Sequence, residues 1–113
     1  MMKIAIPCAN GALCMHFGHC QEFAIVSVEE TNKKIEKCET MTPPAHEPGL
    51  LPKWLAEQNA THVIAGGMGM RAQQLFTQNG IEVVTGAPAL PPEEIVSAYM
   101  NGTLEQGQNA CDH

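Results

Sequence analysis

The stretch Cys14-Met15-His16-Phe17-Gly18-His19-Cys20 places two thiols and two imidazoles in one short loop, and Cys111-Asp112-His113 adds one of each. Thiolate and imidazole are the side chains that bind soft and borderline metals: zinc, copper(I) and the iron of iron–sulfur clusters. Three of the five cysteines and three of the five histidines fall in these two places. The spacing Cys-x-His occurs twice, as Cys14-x-His16 and Cys111-x-His113. In extended backbone, residues two apart point to the same side, so each pair can present sulfur and nitrogen together. Two such pairs would complete a tetrahedral Cys2His2 shell if the tail folds back onto the loop, and His19 with Cys20 offers a different second pair. The candidate metal ligands are therefore Cys14, His16, His19, Cys20, Cys111 and His113. Each taken singly has a plainer reading, as a small buried thiol, a solvated imidazole or a mobile end. It is the clustering that favours metal. Elsewhere the plainer reading stands: Cys8 is expected to be packed, Cys38 and His62 to be structural, and His46 to be solvated.

A second candidate feature is Gly66-Gly67-Met68-Gly69, placed after a strand-like run and before a helical one. Its backbone N–H groups and the helix dipole could cradle an anion. The competing reading is tight turning and close helix–sheet packing. There is no G-x-G-x-x-G and no Lys-Ser/Thr of a phosphate loop, so nucleotide chemistry is poorly supported. An anionic metallocluster would suit the same donors. Met68 and Met70 could add soft contacts, although core filling is the commoner use of methionine. The first strand, IAIPCAN, holds no acidic residue, no serine sits in a nucleophile elbow, and no acid–base pair stands out. The expected role is not enzymatic.

The elements that must position these residues follow from periodicity. Met2–Pro7 alternates and reads as a central strand, followed by a loop from Cys8 to about Gln21. Glu22–Val28 and Lys34–Met41 read as a hairpin around Thr31-Asn32-Lys33. The proline-rich segment Thr42–Pro48 is irregular, and a helix is expected over Leu50–Asn59. His62–Ala65 reads as a strand, Arg71–Gln78 as a helix stopped by Asn79-Gly80, and Ile81–Thr85 as the last strand. Pro91-Pro92-Glu93-Glu94 opens a final helix through Met100. The pattern implies an α/β fold, a mixed sheet with helices on its faces. Sites in such sheets lie at the carboxyl ends of the parallel strands, so the Cys/His loop and the glycine loop are expected to be neighbours.

With 113 residues the chain is read as one domain over residues 1–102, with a polar tail at 103–113 that carries the second Cys-x-His. A chain of that size buries roughly 65% of its unfolded surface and needs no metal merely to fold. Any metal is thus more cargo than staple. A net charge of −6 with scattered lysines and arginines gives no phosphate-binding surface, which argues against nucleic acid. No apolar run approaches membrane-spanning length. The opening MMKIAIP reads as a strand rather than a signal peptide, and an odd number of cysteines favours a reducing, cytoplasmic setting.

The opening MKIAIP, the His16-Phe17-Gly18 triplet followed by Glu22-Phe23, Gly49 before Leu50 and Trp54-Leu55, and above all VIAGGMGMRAQQLFTQNGIEVVTG together resemble the dinitrogenase iron–molybdenum cofactor biosynthesis family. That family includes small nitrogenase-accessory proteins and the orange protein. The resemblance spans about residues 2 to 100. It implies an RNase H-like mixed sheet of five strands and a role in carrying or inserting metal–sulfur clusters. His16 matches the family's His-Phe-Gly histidine, and Gly66, Gly67 and Gly69 match its glycine loop. The implied cargo is an iron–sulfur or molybdenum-containing cluster. The implied partners are metallocofactor assembly proteins or an acceptor apo-enzyme. The chain departs from the family in His19-Cys20 and in the additional Cys8 and Cys14, which favour a site made of protein ligands. The alternative reading is a cytosolic zinc-binding or thiol-redox interaction module.

Overall fold

Apolar residues on both faces of two successive strands fix the centre of the molecule. In the computed structural model, which describes residues 2–9, 11–14, 22–42 and 50–104, strand β1 (Met2–Ala9) has Ile4, Ala5 and Ile6 fully buried. It is sandwiched between β3 (Glu22–Glu29), antiparallel to it, and β5 (His62–Ile64), parallel to it. A strand covered on both faces must be apolar at every position, which is why β1 and β3 read as near-continuous hydrophobic runs. β4 (Lys34–Met41) lies outside β3 and β6 (Glu82–Val84) outside β5, giving the path β4-β3-β1-β5-β6. A sixth strand, β2 (Ala12–Leu13), folds back antiparallel on the end of β1. Among the described residues the sheet thus has six strands, one more than expected. β1 also runs to Ala9, past the expected stop at Pro7. Two residues are too few to show alternation, and the turn depends on Gly11, whose φ of +83° few side chains tolerate.

The period of two divides the apolar residues between two cores. Ala5, Phe23, Ile25 and Val63 face helices α1 (Leu50–Glu57) and α2 (Met70–Gln78), which add Leu51, Leu55 and Phe76. Ile4, Ile6, Val26 and Ile64 face α3 (Pro92–Met100), which adds Ile95 and Val96. Phe23 meets Trp54 edge to face at 5.9 Å between centroids. α1 ends sooner than the expected Asn59 because Asn59 takes the left-handed conformation (φ +66°), with the Ala60 N–H closing onto the Leu55 carbonyl at 3.0 Å. Among the described residues no buried side-chain nitrogen or oxygen lacks a partner, and no helix is long and apolar enough to cross a membrane.

The β3–β4 hairpin is held by a carboxylate. Glu29 accepts the backbone N–H groups of Asn32 at 2.8 Å and Thr31 at 3.0 Å, and Lys33 completes the turn at φ +53°. The Asn32 N–H, with Thr31 adding to it, holds the Glu29 carboxyl below its ordinary range. The group's folded pKa is depressed, so its contribution is present above the unfolded carboxylate pKa and is lost as pH falls through the lowered value. Thermal unfolding followed from neutral to strongly acidic pH should show a smaller acid-side decline in Glu29→Gln than in the wild type. An unchanged decline would assign the acid sensitivity to other carboxylates.

Candidate metal centre

Because β1, β5 and β6 run parallel, their carboxyl ends lie on one rim of the sheet. Main-chain hydrogen bonds lace the loops there together. At the end of β2, the Leu13 N–H donates to the Leu90 carbonyl at 2.9 Å, and just after it the Cys14 N–H donates to the Pro7 carbonyl at 2.8 Å. The Ala65 N–H donates to Val84, the Gly86 N–H to Gly66 at 2.9 Å, and the Ala87 N–H to Ala65. The arm carrying Cys14 and the loop Gly66–Gly69 are therefore both tied to the segment that follows β6, while most of the expected Cys/His loop lies outside the described residues.

Within the glycine loop the positions differ. Gly66, Gly67 and Met68 are buried, and the Met68 side chain is fully enclosed in the core against α1 and α2. Its carbonyl accepts the Gln73 side-chain amide at 2.9 Å. Met70, by contrast, is 63% exposed, so it is the methionine whose thioether reaches solvent beside the loop. Gly69 is exposed and caps α2 with ordinary extended backbone (φ −65°, ψ 155°) and no side-chain cap. A Cβ built there meets nothing within 4 Å. Packing and backbone strain therefore do not require glycine at this position. The consequence is a helix start with no side-chain cap among the described residues, whose first-turn N–H groups and dipole favour negative charge.

Cys14 is half-buried and packs against the core on the α1/α2 side of the sheet. The other expected ligands, His16, His19, Cys20, Cys111 and His113, lie outside the described residues, as does His46. Among the described residues no group of three His, Cys, Asp or Glu side chains is arranged to hold a metal ion.

Residues 2–102 match the sequence profile described as dinitrogenase iron-molybdenum cofactor. The chain belongs to that family. An uncharacterized protein of Methanocaldococcus jannaschii is 33% identical over 110 residues, which cover 94% of this chain and 92% of the relative. The crystal structure of PH0822 is similar with a TM-score of 0.84 at 30% identity, covering 93% of this chain and 94% of that one. The apo form of the orange protein from Desulfovibrio gigas gives a TM-score of 0.75 at 20% identity, over 96% and 95% of the two chains. At that identity the likeness is one of fold.

This member of the dinitrogenase iron-molybdenum cofactor family has two further clusters. Cys8 is packed as expected, 2% exposed, with its thiol 3.3 Å from the Ile6 carbonyl. Cys38, expected to be structural, is instead exposed on β4. Both line a cavity of about 300 Å³ at the start of α3, together with Glu22, Thr40, Pro92 and Glu93. Burial, and after it the negative charge of Glu93, pushes the Cys38 thiol up from its usual range. No sequence signal joins Cys8 to Cys38, because only the strand pairing brings them to one cavity. At the opposite end of the sheet, His62 pairs with Glu82 at 2.8 Å and meets Thr61 at 2.8 Å, with Tyr99 edge-on. This fastens β5 to β6 and fits the structural role expected of His62.

Proposed function

We propose that the chain binds and carries an iron–sulfur or molybdenum-type metallocluster, without catalysing a reaction, as an accessory to metallocofactor assembly. The observation that carries this reading is the placing, on one rim, of the Cys14 arm and of a glycine loop that leads into a helix start with no side-chain cap among the described residues, in a member of the dinitrogenase iron-molybdenum cofactor family. In this reading Cys14 supplies a thiolate and His16 an imidazole to the metal, with His19 and Cys20 following on the same arm. Backbone N–H groups around Gly66, Gly67, Met68 and Gly69 face the negative sulfides, where hydrogen bonds to an anion are stronger than those between neutral groups. Cys111 and His113 would close the shell from the tail. The strand path without β2 fits the RNase H-like frame that the resemblance implies. The partners are assembly proteins that supply the cluster and an apo-enzyme that accepts it, in the cytoplasm.

Anaerobic expression followed by metal and sulfide determination and a visible spectrum tests the reading. The expected result is a coloured protein that contains iron or molybdenum with sulfide, and a several-fold loss of that content in Cys14→Ser with the far-ultraviolet circular dichroism unchanged. Stoichiometric zinc with a featureless visible spectrum would establish the zinc module in its place. A protein that rejects iron–sulfide, copper and zinc alike would remove both.

A further inference from the structure

We propose that β4 pairs, antiparallel and about a two-fold axis at Cys38, with β4 of a second copy of this chain, so that two sheets become one. β4 ends the strand path, and among the described residues no strand covers its outer edge. It is eight residues long, against three for β6 at the opposite edge. An unpaired row of N–H and C=O groups of that length is a template for another strand.

The sequence of β4 selects the partner and the register. Laid antiparallel on itself with Cys38 opposite Cys38, the strand sets Lys37 against Glu39 of the second copy and Glu39 against its Lys37. The neighbouring registers that a two-fold axis allows set Lys37 against Lys37 or Glu39 against Glu39. Opposite charges across a strand pair stabilise and like charges destabilise, so one register is favoured and its neighbours are disfavoured. Lys37 and Glu39 stand opposite Ser27 and Ile25 of β3, on one face of the sheet, and form an ion pair within the chain. A second copy continues that alternation into a group of four charges. The bulge in the β3–β4 pairing falls at Glu36, before the regular run Lys37–Met41, and leaves the axis undisturbed. Cys38 is exposed, and directly opposed residues of an antiparallel pair bring its thiol next to its symmetry mate. The arrangement is isologous and closes at two copies.

Charge reversal tests it independently of any metal. Sedimentation of the wild type in reducing buffer should show a dimer. Lys37→Glu alone and Glu39→Lys alone should each weaken association by about tenfold or more, because each change turns two attractive pairs into two repulsive ones. The double swap K37E/E39K should restore the dimer. These side chains are 66% and 45% exposed, so circular dichroism and the thermal midpoint should hold across the series. A short bismaleimide should couple the two copies in the wild type and lose that product in Cys38→Ser. A wild type that stays monomeric at millimolar concentration overturns the pairing. So does a dimer indifferent to the single reversals, which would place the contact on another face.

Discussion

Gly69→Asp should leave the protein folded and somewhat more stable while lowering its uptake of an anionic cluster about tenfold or more. The backbone at Gly69 is one that any L residue adopts, and a Cβ there enters open space. Aspartate is a favoured N-cap, and its carboxylate would accept the open N–H groups of the first turn of α2, a gain over glycine of a few tenths of a kcal/mol. The same carboxylate occupies the donors that an anion would use and places negative charge beside it. A zinc ion held by cysteine and histidine would respond in the opposite sense, retained or slightly favoured by the added charge. Denaturant midpoints paired with cluster and zinc stoichiometry separate these outcomes, and Gly69→Asn serves as the neutral control. Cluster uptake unchanged in Gly69→Asp would remove the α2 start from the binding surface.

Phe76→Ala should cost about 3–5 kcal/mol, a large share of the ~5–15 kcal/mol that holds a typical domain together. Phe76 is the one buried residue of α2, fully enclosed in the core cluster that includes Ala5, Phe23, Leu55, Met68 and Ile81. Its carbonyl also accepts the N–H groups of Asn79 and Ile81 that end the helix. Without the ring, α2 loses its anchor to the sheet, and the glycine loop loses the helix that fixes its far end. Urea unfolding should show a lower midpoint with little change in slope. Cluster uptake should fall in parallel with stability. A stability loss below about 1 kcal/mol would mean that neighbouring side chains refill the space.

The strands were legible wherever side-chain alternation or continuous burial wrote them into the sequence. β4 has the expected bounds, and β1 and β3 differ by one or two residues at their ends. β2 was not legible because two residues carry no period, and its pairing with β1 depends on contacts made after the chain has turned at Gly11. The left-handed Asn59 that shortens α1 was equally silent, since its backbone angle is set by how Ala60 closes onto Leu55. At the candidate site, strand direction alone puts the Cys14 arm and the glycine loop on the same rim of the sheet. The division of labour between Met68, enclosed in the core, and Met70, open to solvent, does not, because both follow the same strand and differ only in which way the loop turns them. The cavity that Cys8 shares with Cys38 needs the β1–β3–β4 register, which no local pattern encodes.

The rim is stitched by main-chain groups: Leu13 to Leu90, Gly86 to Gly66, Ala87 to Ala65. Such stitches are blind to side-chain identity, apart from proline, so mutation can exchange the donor atoms on the arm without unpicking the seat beneath them. Side chains on the arm, the thiol at position 14 among them, can then be exchanged without a new architecture.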